Sequence, residues 1–240
     1  MEITIDLATV RRIVSQEYGQ ARTEIAQRGP VAAYQSSQQR HDERLAAAPD
    51  ATTLACKSGC SWCCYFTVDV RPVELFRILE FVAREFTPQE QERVRSEIEA
   101  NSAVLAKLDD VERMQRNIKC PFLASGRCTI YAARPQTCRN YHATSAAGCE
   151  KSFQEPDNLD IDPEFAPLVY QAGGAHVDAF STAMRDEGYD IMAFELNTAF
   201  AAAMSEPLAG RRRFEAKQKP FIGLQGADAP LEFTEAEDLD

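Results

Sequence analysis

The sequence predicts a mainly α-helical fold carrying an irregular cysteine-rich insert, and three observations predict it. Apolar residues recur at helical spacing over most of the chain, and strand-like runs are few and short. All eight cysteines fall between residues 56 and 149. The second half of that stretch, 120–149, mixes Cys, Gly, Pro and Arg with no lasting helical period.

Taken in order, Val10, Ile13, Val14, Ala21 and Ile25 mark a first helix, with Asp6 as its N-cap. Gly29-Pro30 breaks it, and Pro30 opens a second helix carrying Val31, Tyr34, His41 and Leu45. After the first cysteines, the β-branched and aromatic run 65–70 predicts a brief strand or extended segment. Pro72 starts a helix with Leu75, Ile78, Leu79, Val82 and Phe86 on its apolar face. Thr87-Pro88-Gln89-Glu90 is a capping box opening a helix expected to reach about Asn117 through Val94, Ile98, Leu105, Leu108, Val111 and Met114. Cys120–Leu123 and Cys128–Tyr131, flanking Ala124-Ser125-Gly126-Arg127, predict a short hairpin or knuckle at about 120–131. Two more helices are expected at about 163–187 and 190–205, Asp162-Pro163 opening the first and Gly173-Gly174 marking close packing or a bend.

The expected organisation is an N-terminal helical segment at 1–50, a cysteine-cluster core at 51–150, C-terminal helices at 151–210 packing on it, and a basic then acidic tail at 211–240, disordered at its end. Apolar residues make up 45% and charged residues 26%, an ordinary balance for a soluble globular protein. The N-terminus lacks an apolar run of signal-peptide length, and no stretch approaches the ~18 apolar residues of a membrane span. A cytoplasmic protein that binds neither membrane nor nucleic acid is expected, the net charge of −11 opposing the latter. The basic run Arg211-Arg212-Arg213 with Lys217 and Lys219 reads as a solvated helix end or a partner for acidic surface.

In a reducing compartment, grouped cysteines point to metal or catalysis before disulfides. Adjacent Cys63 and Cys64 also cannot bridge without heavy strain. The spacings x3, x2, x0, then x7, x9 and x10 fit a zinc ribbon of two short pairs poorly after the first group. Eight thiolates can fill two four-cysteine zinc sites, or hold one iron–sulfur cluster with thiols to spare. Neighbouring side chains diverge in a strand or a helix, so Cys63 and Cys64 are expected to serve different sites, or one of them to act outside the ligand set. Thiol number, irregular spacing and nearby Trp62, Tyr65, Phe66 and Tyr131 favour a cluster, of which [4Fe–4S] is the leading form; simple tetrahedral arithmetic favours zinc. Arg127, Arg134 and Arg139 are placed to offset the charge of such a centre, and His142 to tune or join it. His41 and His176 read as ordinary packing or surface residues on helices. No Ser-His-Asp arrangement, phosphate-cradling glycine loop or carboxylate dyad marks another chemistry.

Ala55–Cys64, Cys120–Leu123, Gly126–Tyr131 and Arg134–Tyr141 together resemble the cysteine-cluster family called CxxCxxCC or YkgJ-like, over about residues 56 to 149. The resemblance implies a zinc- or iron-chelating domain with Cys56, Cys60, Cys63, Cys64, Cys120, Cys128, Cys138 and Cys149 as ligands. A flagellin lysine N-methylase has a similar cysteine-rich region. Cys56-x3-Cys60-x2-Cys63 is also similar to the radical S-adenosylmethionine motif, but the partial α/β barrel of that class needs repeated strand–helix units not found here. Redox or protein-modification chemistry, a zinc-stapled interaction domain, and metal storage, sensing or transfer are the three functions these features leave open.

Overall fold

The computed structural model describes residues 6–57, 59–224 and 226. Ten α-helices account for most of them: α1 Leu7–Arg28, α2 Pro30–Ala46, α3 Pro72–Glu85, α4 Pro88–Leu105, α5 Asp110–Met114, α6 Gln136–Asn140, α7 Ala146–Gln154, α8 Pro167–Asp186, α9 Leu196–Ser205 and α10 Pro207–Glu215. Strands are two residues long and form two antiparallel pairs: β1 Asp69–Val70 with β4 Phe194–Glu195, and β2 Leu123–Ala124 with β3 Arg127–Cys128. The mainly helical reading with a cysteine-rich insert stands.

Local sequence explains most of the boundaries. Asp6 caps α1, its carboxylate accepting from Thr9 N at 3.1 Å. Gly29, at φ +80°, turns the chain into α2, where Pro30 occupies the first helical position. Thr87 and Glu90 close the capping box of α4 reciprocally. That helix stops at Leu105 rather than near Asn117, because Asp109 and Glu112 form a second capping box and start α5 afresh. Val111 and Met114 are consequently exposed instead of facing the core.

Tertiary contacts decide the other departures. Pro163 does not open α8, because residues 164 and 165 lie extended: Phe165 bridges Ala143, and Thr144 N donates to Glu164 O at 2.8 Å. The helix begins at Pro167, and its free N–H groups at Leu168 and Val169 donate to the carboxylate of Asp50 at 2.8 and 3.0 Å. Residues 146–149, the end of the stretch expected to be irregular, instead start α7, with Ser145 as its cap. Residues 207–215, expected to be partly tail, form α10 and bury Phe214. The expected disorder at 227–240 lies outside the described residues. The basic run behaves as anticipated: Arg211 reaches Glu80 and Glu215, and Arg213 reaches Glu206.

The antiparallel pair α1–α2 packs on α8, while α4 packs on α9 and α3 on α2. One apolar core runs through these elements, built on Tyr34, Leu75, Phe76, Ile78, Ile98, Phe122, Phe180, Phe200 and Phe214. A buried polar knot lies where α1, α2 and α8 meet. Glu17 accepts from Arg40, Arg44 and Ser37, and Ser37 Oγ sits 2.8 Å from His176 Nε2. Arg44 only donates, so His176 takes that bond on Nδ1 and donates from Nε2 to Ser37. His41 stacks flat on His176 with ring centroids 4.7 Å apart, and neither of its ring nitrogens has a partner among the described residues.

Gly173 is the close-packing position of its pair. A Cβ there would stand 1.6 Å from Asn140 Oδ1, whereas one on Gly174 would meet nothing. Gly173→Ala is therefore expected to push Asn140 and α6 away and to cost about 1–3 kcal/mol, as overpacking does. Gly174→Ala should be neutral or slightly stabilising, since alanine is the better helix former. Urea unfolding of the two variants side by side checks this; equal midpoints would contradict it.

Candidate metal centre

Two backbone bonds bring the separated cysteine groups together. Cys120 N donates to Cys64 O at 2.7 Å and Ile118 N to Tyr65 O at 2.9 Å, so the chain leaving α5 runs beside the tight 3-10 turn Trp62–Tyr65. Phe153 of α7 packs against both Trp62 and Tyr65, at 5.1 and 4.9 Å between centroids, and holds that turn from the other side. The β2–β3 hairpin then presents Cys128 opposite Leu123, its turn made by Ser125 and Gly126, both at positive φ (48° and 71°). Pro135 leads into α6, which carries Cys138.

The result is a cavity of about 560 Å³ with Cys60, Cys63, Cys64, Cys120, Cys128 and Cys138 in its lining. Phe66, Phe122, Ile130 and Tyr141 supply apolar wall, and Lys57, Arg127 and Arg134 supply positive charge. Cys56 and Cys149 are not part of this lining. Cys149 is buried on α7, and the Cys56 thiol points to Ala143 O at 3.8 Å. All eight cysteines are free thiols. Among the described residues, no three His, Cys, Asp or Glu side chains gather closely enough to hold one ion.

Electrostatics oppose ionisation of Cys56, Cys63, Cys120, Cys128, Cys138 and Cys149 in the absence of a cation. Burial pushes Cys120 up to about 12 and Cys138 well above its ordinary value. Cys63 is raised first by its hydrogen bond with Cys64 and then by burial. Burial likewise raises Cys128 and Cys56, and lifts Cys149 to about 11. Neighbouring thiolates add to the effect, Cys120, Cys63 and Cys128 opposing ionisation of Cys138. A bound cation reverses that penalty, so metal uptake at these thiols releases protons and strengthens as pH rises. Soft thiols in this number are the donor set used by zinc and by iron–sulfur centres, and the set fits either.

Residues 55–160 match the CxxCxxCC family model, described as a putative zinc- or iron-chelating domain. Neither the curated proteins nor the solved structures contain a match. The CxxCxxCC segment ends before α8, so α1, α2, α8, α9 and α10 lie outside the match.

Several sequence expectations meet the geometry differently. Cys63 and Cys64 both line the one cavity, because the 3-10 turn and the crossing segment of residues 118–120 close around both. Arg139 is turned away from the cavity, bonding Asp42 and Ala132 O, with almost none of its side chain exposed. His142 is not part of the cavity lining, and its ring nitrogens have no partner among the described residues. Phe66 lines the cavity as its place beside the first cysteines suggested, whereas Lys57 and Tyr141 went unremarked as site residues; their closeness to Cys56 and Cys138 in sequence was the only available signal. No helix among the described residues is long and apolar enough to cross a membrane.

Proposed function

We propose that the cavity holds an iron–sulfur cluster and that the protein carries out redox or modification chemistry on a small molecule bound beside it. The observation that carries this reading is six thiols spread around one cavity of about 560 Å³, no trio among the described residues being drawn together for a single ion. A polynuclear cluster needs thiols spread around its faces, whereas a mononuclear zinc needs four converging on one point. Four of the six lining thiols, Cys60, Cys63, Cys64, Cys120, Cys128 and Cys138, would supply the cluster thiolates, with Cys56 and Cys149 as an outer pair. When bound, such a cluster supplies electron transfer. The chain's own residues exclude water through Phe66, Phe122 and Tyr141 and hold the thiols in place through the 118–120 crossing.

The cavity is as large as small-molecule sites, which run about 300–1,000 Å³, and a purely structural staple needs no such space. A zinc-stapled interaction domain is the second reading, favoured by the eight thiols matching two four-thiolate sites. Anaerobic purification followed by iron, zinc and acid-labile sulfide analysis with a visible spectrum separates the two. Brown protein with equal iron and sulfide is expected; colourless protein with about two zinc ions would overturn the cluster.

A further inference from the structure

The chain carries 37 acidic against 26 basic residues, yet the cavity lining contains Lys57, Arg127 and Arg134 and no Asp or Glu. None of these three side chains enters an ion pair among the described residues. Lys57 and Arg127 stand exposed, and Arg134 is half-buried with its guanidinium 4.1 Å above the ring of Tyr131. Arg134 Nε is sealed from solvent and has no acceptor among the described residues, so the ligand-facing donors of this side chain are its terminal NH2 groups.

A thiolate centre takes up part of this positive charge and not all of it. A four-thiolate zinc or [4Fe–4S] centre carries about two negative charges, so three cations leave one over. We propose that this remaining charge serves a ligand: the cavity takes a small organic acid, a carboxylate or phosphate on an apolar body. Arg134 grips the head group through its planar fork of donors, and Phe66, Phe122 and Tyr141 cover the body. The same cationic lining repels an amine, so a free lysine side chain is a poor substrate for this site. The inference deepens the proposed function by naming its substrate class, and it rests on the cavity being a ligand site.

The test is calorimetric titration of anaerobically purified, metal-loaded protein with hexanoate, hexyl phosphate, hexanol and hexylamine. At least one of the two acids should bind tenfold or more tighter than hexanol, with hexylamine weakest; which acid wins tells carboxylate from phosphate substrates. Arg134→Gln, compared with the wild type at equal metal loading, should lose tenfold or more of that acid affinity while hexanol binding stays unchanged. Should Arg134→Gln fold poorly, Arg127→Gln on the exposed hairpin reads the same preference with a smaller loss. Equal binding of acid and alcohol, preference for the amine, or variants that lose metal and not acid selectivity would overturn the proposal. Metal analysis of the same samples keeps the two readings apart. Metal-loaded protein indifferent to acids sinks only the ligand, and metal-free protein that still selects acids sinks only the cluster.

Discussion

Cys138→Ser is expected to lose most of its metal and to melt about 8–16 °C below the wild type. Cys138 sits on α6 in the cavity lining, with its thiol raised well above its ordinary value by burial. A ligand held at a thousand times its Kd stabilises by about 4 kcal/mol, and each kcal/mol is worth about 2–4 °C in a chain of this size. Cys60→Ser should behave similarly, and Cys149→Ser should lose less metal because Cys149 lies outside the cavity lining. A buried serine hydroxyl without a partner itself costs about 1–3 kcal/mol, so melting alone does not decide the matter. The metal-to-protein ratio does, together with chelator-treated wild type as a reference. If chelation lowers the wild type by the same amount and adds little to Cys138→Ser, the loss is the metal's. Full metal and unchanged melting in both Cys60→Ser and Cys138→Ser would refute the ligand assignment.

Acid should weaken the fold from about pH 6.5 downward through two buried histidines. Burial lowers His41 to about 2 and His176 to about 4, so both stay neutral in the folded state at pH 5 while the unfolded chain takes up protons. The folded pKa lies below the unfolded one, so stability is full above about pH 6.5 and falls as pH drops below it. At about 1.36 kcal/mol per pH unit, the loss by pH 5 is about 2 kcal/mol for each histidine and about 4 for both. Burial opposes ionisation of Glu17, but Arg40, His176, Arg44 and Ser37 outweigh it and hold the carboxyl down at about 2. The stabilisation from Glu17 is full above about pH 4.5 and is lost only as pH falls below it, so Glu17 does not cause the earlier fall. Around the two rings stand Glu17 on α1, Arg40 and Arg44 on α2, and Arg134, Arg139 and His142 from the cysteine segment. His41→Leu removes two unpartnered ring nitrogens; it should hold or gain stability at pH 7.5 and lose about half of the drop to pH 5. Urea midpoints at both pH values, with metal content measured in parallel, check this. A wild type that keeps its midpoint to pH 5 at constant metal content, or a variant with the full drop, would contradict it.

The helices were legible where their signals are local. Asp6, Gly29-Pro30, Pro72 and the Thr87/Glu90 box each act within one turn, and Ile13, Ala21, Ile25, Tyr34, Ile78 and Ile98 went inside as their spacing requires. The errors fell where a distant residue took over a backbone group. Asp50 caps α8 from over a hundred residues away, and pairing with residues 143–144 holds 164–165 extended. Phe214 drew α10 out of an expected tail because an aromatic ring can be buried by helices that its own neighbours do not announce.

The cysteine stretch shows the same division. Residue chemistry by itself determined that soft thiols dominate residues 56–149, that the segment resembles a zinc- or iron-chelating family whose model matches residues 55–160, and that the surrounding chain is helical. Tertiary structure alone decided that six of the eight thiols share one cavity, that Cys63 and Cys64 face it together, and that Arg134 stays while Arg139 turns away. It also gathered His41, His142 and His176, scattered in sequence, close enough for His41 to feel both of the others. Side-chain type travels with the residue; burial, shared walls and leftover charge exist only once separate segments have packed.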